Sequence, residues 1–146
     1  MPANDERQLR ELVRLLERKL GYLKDSEFTC CGVSLAQCHA MVEIGRANGL
    51  SLGNLAELLD LDASTISRTV ENLVKKRLAR RTADKNDRRY ICIELTAKGK
   101  NLYEGIETDM EKYYRNIFEG IPEEKHAQVL ESLQLFANAI GGDCCK

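Results

Sequence analysis

The 146-residue chain has the length of one compact domain, and its 43% hydrophobic and 31% charged residues are typical of folded globular proteins. No apolar run approaches the roughly 20 residues that a helix needs to cross a bilayer. The stretch before Arg10 is polar and carries charges of both signs, unlike a secretory signal peptide. We therefore expect a cytoplasmic protein whose thiols stay reduced.

The charge of the chain is unevenly distributed. The formal net charge is −1, but the segment from Asp62 to Arg89 holds nine Lys or Arg against four Asp or Glu. That segment is therefore +5 and the rest of the chain is −6. A basic island in an acidic protein attracts phosphate to one surface. The alternative is an ordinary solvated charged face.

Helical spacing of apolar residues predicts four helices in the first half. The first is capped by Asn4 and extends to about residue 25. The second follows Ser34 and ends near Ala47, a short third helix opens at Ser51, and the fourth is capped by Asp62.

After the fourth helix the apolar period changes to two, which predicts a β-hairpin. Its strands are expected at Leu78–Thr82 and Arg89–Leu95, with a polar turn between them. One face of the second strand should be formed by Ile91, Ile93 and Leu95.

Two further helices are expected at the C-terminal end. Thr96 is predicted to cap a long helix that Gly120 ends, and Pro122 suits the first turn of a last helix. His126, on that last helix, is expected at the surface.

This order of elements predicts a mainly α fold with a small β-hairpin wing, the winged helix-turn-helix. The third and fourth helices form the helix-turn-helix pair. The fourth helix, called the recognition helix in such folds, then fits the major groove of duplex DNA. Base edges and phosphates would be contacted by Ser64, Thr65, Ser67, Arg68 and Asn72. Lys75 and Lys76, at the far end of the helix, are expected against backbone phosphates. The alternative is a helical hairpin whose polar residues only face water.

The hairpin tip favours the DNA-binding interpretation. Arg88 and Arg89 follow the turn, and a narrow minor groove attracts inserted arginine through its negative potential. Asp87 is close enough along the chain to orient a neighbouring guanidinium.

These residues resemble the MarR family of bacterial transcription regulators from residue 9 to about residue 140. The most specific motifs are Leu55-Ala56-Glu57, the run from Ser64 to Leu73, Asp87-Arg88-Arg89, and the run from Leu95 to Gly99. The resemblance implies a triangular dimer joined by the first and last helices, with Arg89 in the minor groove and repression as the regulatory outcome. One position departs from the family: Arg77 stands where members often have glycine. A left-handed Arg77 would cost roughly 1 kcal/mol.

Dimerisation is also expected because the terminal helices are amphipathic and lie outside the DNA-binding unit. A twofold dimer presents recognition helices to half-sites of a pseudo-palindromic operator about 34 Å apart. The chain is thus a single domain in which residues 34–95 bind DNA, residues 4–25 and 96–140 dimerise, and residues 141–146 form a cysteine-containing tail.

Four of the six cysteines form two adjacent pairs, Cys30-Cys31 and Cys144-Cys145. Neighbouring α-carbons lie about 3.8 Å apart, below the roughly 4.4 Å lower limit of ordinary disulfides. Each pair is better suited to bind a thiophilic ion such as Zn(II), Cd(II) or As(III), or to bond other sulfurs on oxidation. The resemblance implies that the first pair and the partner's tail pair come together. Further candidate ligands are Cys38, His39 and Glu27.

Several alternatives remain open at this stage. Cys38 also suits a small core position, Cys92 suits a structural role in the wing, and the tail pair suits a segment without function. The chain could instead be a MarR-type regulator of small phenolic or lipophilic ligands with non-sensing cysteines, a winged-helix protein-interaction module, or a zinc-stabilised structural module. An enzyme is not expected, because nucleotide-binding glycine loops, catalytic triads and redox Cys-x-x-Cys motifs are missing from the sequence.

Overall fold

The computed structural model describes residues 3–21 and 32–141, and the chain divides into two compact units, Met1–Ile106 and Glu107–Lys146. Within the described residues, no helix combines the length and apolar content that crossing a membrane requires. The elements in chain order are α1 (Ala3–Lys19), α2 (Leu35–Ala47), β1 (Leu50–Ser51), α3 (Leu52–Leu59), α4 (Ala63–Lys75), β2 (Ala79–Ala83), β3 (Ile91–Leu95), α5 (Ala97–Glu119), a short 3-10 turn (Glu123–Lys125) and α6 (His126–Ala139).

The predicted fold class, mainly helical with a β-hairpin wing (residues 79–95), is confirmed. The sheet is antiparallel in the order β1-β3-β2, with Ala79 opposite Leu95 and Ala83 opposite Ile91. The strand β1, which pairs Leu50 with Ile93, was not expected from the sequence. The main core lies between α2, α3, α4 and the sheet, and its fully buried side chains include Met41, Ile44, Leu55, Ile66, Val70, Leu73 and Ile93.

The predicted N-caps of α2 and α3 are present. The Ser34 hydroxyl accepts from the Gln37 amide at 3.2 Å, and the Gln37 side chain accepts from the Ser34 amide at 3.3 Å. This reciprocal pair is a capping box. The Ser51 hydroxyl accepts from the Asn54 amide at 3.1 Å. Local hydrogen bonds therefore set where both helices begin.

The cap of α4 is the carboxylate of Asp62. It accepts from the Thr65 amide at 2.6 Å and from the Ser64 hydroxyl at 3.0 Å. Hydrogen bonds from the side chain and backbone of Thr65, and then from Ser64, lower the pKa of Asp62. The charged carboxylate therefore satisfies the Thr65 amide in the first turn of α4 and lies at the positive end of the helix dipole.

Several predicted boundaries and faces differ from the structure. The helix α1 begins at Ala3, so Asn4 lies within it rather than capping it, and it ends at Lys19 rather than near residue 25. The strands begin one and two residues later than predicted. Ile91, predicted to share one face with Ile93 and Leu95, is 58% exposed, whereas Ile93 and Leu95 are buried.

The connection between α5 and α6 is organised around His126. Its Nε2 atom lies 2.9 Å from both the Phe118 and the Ile121 carbonyl oxygens, and its ring packs on Phe118 with centroids 4.5 Å apart. The prediction that His126 is a plain surface residue is therefore wrong. It ties the end of α5 to the start of α6.

Two glycines allow the start of α5 to pack closely on its neighbours. A Cβ on Gly99 would collide with the carbonyl oxygen of Leu78, and a Cβ on Gly45 of α2 would lie 2.8 Å from the ring of Tyr103. Glycine weakens a helix interior by about 1 kcal/mol relative to alanine. At both positions the close contact is possible only because glycine has no side chain.

Three helices of the first unit end on a residue with left-handed backbone: Asn48 (φ 55°), Asp60 (φ 51°) and Arg77 (φ 61°). After α4, the amide of Leu78 donates to Leu73 and that of Arg77 to Val74, both at 2.9 Å. This pair of bonds forms a Schellman motif. Asn and Asp tolerate left-handed backbone better than other side chains do, so Arg77 carries the strain expected from the sequence.

We predict that Arg77→Gly stabilises the protein by about 0.5–1 kcal/mol, because glycine adopts positive φ without a Cβ clash. Urea unfolding at fixed protein concentration measures the change. The matched control is Lys75→Gly, where the backbone is helical and glycine should destabilise by about 0.5–1 kcal/mol. Destabilisation by both substitutions would contradict strain at Arg77.

We predict that Asp62→Ala lowers the Tm at neutral pH, whereas Asp62→Asn, which keeps an acceptor oxygen, lowers it less. Because the pKa of Asp62 is lowered from 3.8 on folding, its charge stabilises the fold above that value. The contribution is lost as the pH falls through the lower folded-state pKa. Calorimetry over acid pH should show the difference between parent and Asp62→Asn shrinking; a constant difference would contradict a charged cap.

Candidate nucleic-acid interface

One side of α4 is exposed and carries short polar and basic side chains. We define the exposed α4 face as Ser64, Arg68, Asn72 and Lys75, which follow the helical repeat; the exposed acidic residue Glu71 lies beside them. Two other predicted contacts, Thr65 and Ser67, are half-buried at its flank. The opposite side of the helix, with Ile66, Val70 and Leu73, is buried in the core, so the orientation of the exposed face is set by packing.

The two lysines at the end of α4 have different surroundings. Lys75 forms an exposed pair with Glu71 at 3.5 Å, one helical turn back. Exposed pairs of this kind contribute little, so the amine of Lys75 is readily available to another anion. Lys76 instead donates from Nζ to the Gly32 carbonyl at 3.0 Å and to Gln37 Oε1 at 2.9 Å. These contacts, between residues far apart in sequence, were not foreseen.

At the wing tip, Asp87 holds Arg89 as the sequence suggested. Arg89 donates from Nε to Oδ1 at 3.0 Å and from Nη2 to Oδ2 at 2.8 Å, and its backbone amide also donates to Oδ1 at 3.1 Å. These bonds lower the pKa of Asp87 and raise that of Arg89. The guanidinium is thus oriented while its side chain stays 85% exposed. Arg88 beside it is also exposed.

The turn that carries these arginines is closed by its own hydrogen bonds. Asp84 Oδ1 accepts from the amides of Asn86 at 2.8 Å and Asp87 at 3.4 Å. The amide of Asp84 donates to the Tyr90 carbonyl at 2.9 Å, and the amide of Tyr90 donates to the backbone carbonyl of Asp87 at 3.1 Å. An Asp side chain that bonds the amides following it stabilises a tight turn.

The wing has a second ion pair that the sequence analysis did not single out. Arg80 on β2 donates from Nη2 to Glu94 on β3 at 3.2 Å, and the two residues are direct cross-strand partners. The cross-strand register would have revealed this pair, had the hairpin boundaries been known. Opposite charges at such positions stabilise strand pairing.

The candidate thiol and metal ligands are only partly described. Cys30, Cys31, Glu27, Cys144 and Cys145 lie outside the described residues. Cys38 is half-buried against the core on α2, and the neighbouring His39 is exposed. Among the residues that the structure describes, no three His, Cys, Asp or Glu side chains come together in a metal-binding group.

Cys92 is half-buried on β3. Burial, followed by the negative charge of Glu94, raises the pKa of its thiol. A Cβ on Gly49 would lie 2.9 Å from its sulfur, so the thiol fills a space that glycine leaves. These contacts agree with the structural role expected for Cys92.

Known proteins resemble the chain over these same elements. Residues 32–89, from the start of α2 to the wing tip, match the model of the MarR family. YsmB of Bacillus subtilis, an uncharacterized HTH-type transcriptional regulator, is 24% identical over 131 residues, which are 90% of this chain and 87% of that protein. The HTH-type transcriptional regulator SarZ of Staphylococcus saprophyticus is 27% identical over 124 residues, covering 85% and 80% of the two chains.

Solved structures share the fold along most of the chain. The S. aureus MepR–DNA complex aligns with a TM-score of 0.74 at 22% identity, covering 90% of this chain and 96% of that one. The motifs of α4 and the wing, the family model and the fold thus agree over the same residues. The chain is thus similar to the MarR family over residues 32–89, and the relatives that it matches along most of its length are HTH-type transcriptional regulators.

Proposed function

We propose that this chain binds double-stranded DNA as a homodimer at a pseudo-palindromic operator and represses transcription until an effector releases it. The observation that carries the proposal is the bidentate pairing of Arg89 with Asp87 at the wing tip. An exposed arginine that is already held in one orientation loses little conformational freedom on binding. The relative MepR was solved in complex with DNA, which supports the same partner here.

The exposed α4 face supplies groups suited to the major groove. Ser64, Arg68 and Asn72 offer hydroxyl, guanidinium and amide groups for base edges, with Thr65 and Ser67 at the flank. Lys75, at the far end, is placed for a backbone phosphate. In the wing, Arg89 enters the minor groove and Arg88 adds positive charge beside it.

Homodimerisation is supported by apolar side chains left exposed on the terminal helices. They include Leu9, Leu12 and Leu16 on α1, and Tyr113, Ile117, Leu130 and Leu133 in the second unit. Exposed apolar patches commonly mark protein interfaces. In this proposal residues 4–25 and 96–140 join the protomers, residues 34–95 bind DNA, and residues 141–146 remain a tail.

We further propose that the vicinal pairs Cys30-Cys31 and Cys144-Cys145 sense a thiophilic ion or an oxidant. Support comes from the sequence, since adjacent thiols offer two soft ligands to one ion. Tying the segment before α2 to the partner's tail would change the spacing of the recognition helices. A few kcal/mol of differential binding suffices for such a switch.

We predict that Arg89→Ala weakens binding to a pseudo-palindromic duplex about 10- to 100-fold, because alanine cannot reach into the minor groove. Fluorescence anisotropy at physiological salt measures the affinity. Arg46→Ala is the control, because Arg46 is an exposed arginine of α2 that belongs neither to the proposed DNA contacts nor to the proposed dimer interface. Unchanged affinity of Arg89→Ala would refute the wing contact. If parent and variants alike fail to bind duplexes, a protein-interaction module becomes the better interpretation.

We predict that Leu133→Asp shifts the protein from dimer to monomer, since an unpaired charge in an apolar interface must be desolvated. Sedimentation equilibrium measures the mass. Leu58→Asp on α3 is the matched control, because Leu58 is 57% exposed and Leu133 51% exposed but Leu58 lies outside the proposed interface. Dissociation by both variants, or by neither, would contradict the assignment.

We predict that serine at positions 30, 31, 144 and 145 abolishes release from DNA by Zn(II), Cd(II), arsenite and peroxide, because the soft ligands are removed. A DNA-release titration of parent and quadruple variant measures this. Cys92→Ser serves as the control and should respond like the parent. If the quadruple variant also responds like the parent to every agent, the cysteines are not the sensor, and a small phenolic or lipophilic effector becomes the next candidate.

A further inference from the structure

The ammonium group of Lys76 is hydrogen-bonded to other residues of the chain, although Lys76 itself is exposed. Lys76 follows the last residue of α4, and its Nζ donates to Gly32 and Gln37, which lie 44 and 39 residues away in sequence. Gln37 is only 9% exposed, and its Oε1 also accepts from the Ser34 amide that it caps. The end of the recognition helix is thereby joined to the capping box that starts α2.

The same helix end is held from a second side. Lys98, in the first turn of α5, donates from Nζ to the Lys76 carbonyl at 3.4 Å, and the Thr96 hydroxyl donates to the Arg77 carbonyl at 2.7 Å. The last turn of α4 therefore lies between polar contacts from α2 and from α5. These contacts give the end of α4 one defined position.

These bonds occupy two of the three N–H donors of the Lys76 ammonium, so a phosphate contact would have to use the remaining donor or break one of them. Hydrogen bonds from a charged donor are stronger than those between neutral groups, and the acceptor Gln37 is largely removed from water. Lys75 has no such constraint, since its partner Glu71 is an exposed neighbour on the same helix. The two adjacent lysines therefore differ in their availability to DNA.

We propose that Lys76 is a positioning residue that fixes the end of the recognition helix to the start of α2 and does not contact phosphate. This inference rests on the proposed DNA-binding function. Hydrogen bonds to base edges tolerate only small errors in distance and angle. When the end of α4 moves, the side chains of the exposed α4 face move together, so affinity falls by a similar factor at every salt concentration.

The test compares Lys75→Met with Lys76→Met in the full-length dimer, on one duplex selected from random-sequence DNA. Anisotropy titrations over a range of KCl give the slope of log K against log salt. Lys75→Met should reduce the slope by about 0.9 for each phosphate that the side chain no longer neutralises. Lys76→Met should leave the slope unchanged and lower affinity about 3- to 10-fold throughout. If Lys76→Met reduces the salt slope as much as Lys75→Met does, the proposal is overturned.

A second comparison distinguishes positioning from a purely structural role. Gln37→Met should lower DNA affinity in the same way. The double variant Lys76→Met, Gln37→Met should bind DNA no more weakly than whichever single variant binds DNA less tightly. Lys76→Arg, which keeps hydrogen-bond donors, should restore most of the affinity. A Lys76→Met protein with lowered Tm but parental affinity would also overturn the proposal.

The link can be tested even if DNA binding fails. The Tm values of the parent, the two single variants and the double variant, measured without DNA, report whether residues 37 and 76 are coupled. Non-additive shifts support the link, and additive shifts overturn it. Absence of DNA binding by the parent would refute the proposed function instead.

Discussion

Three elements of the first unit depend on the two peptide units of Arg77 and Leu78. The Leu78 amide ends α4 by donating to Leu73, while the Leu78 carbonyl accepts from the Thr96 amide at 3.0 Å. Gly99 brings the backbone of α5 against this same carbonyl. The end of the recognition helix, the base of the wing and the start of α5 are thus joined by short backbone contacts. Backbone contacts leave less freedom than side-chain packing, so these elements keep one mutual arrangement.

The sequence could predict those features whose partners are close along the chain. Ser34, Ser51 and Asp62 are correct caps because each bonds an amide three residues away. The Asp87–Arg89 pair spans two residues and was foreseen for the same reason. The two-residue strand β1 was missed because it exists only through pairing with β3. The exposure of Ile91 was not predicted because the alternation of apolar and polar residues along a strand shows which residues lie on the same face. It does not show how far along the strand the core extends.

The long-range contacts of Lys76 lie beyond any local pattern. The sequence shows a lysine near the end of a basic helix, and that composition alone suggests a phosphate contact. Only the fold brings Gly32 and Gln37 to its amine. The charge of a basic residue in such an island therefore does not by itself make that residue a DNA contact. A +5 island favours contact with polyanions such as DNA and the −6 remainder disfavours it, but the net charge of a segment does not identify the contacting residues.

The two thiols that the structure describes, Cys38 and Cys92, differ from the vicinal pairs in what they can do. Cys38 packs against the core, and burial raises the pKa of Cys92, so little of its reactive thiolate is present near neutral pH. The proposed thiol sensing therefore concerns the pairs at 30–31 and 144–145. Ordinary disulfide geometry does not fit adjacent residues. Disulfide formation on oxidation then requires sulfurs from different pairs to meet, whereas one pair suffices to chelate an ion. Loss of a single pair therefore prevents a disulfide between the two pairs but leaves the other pair able to bind an ion.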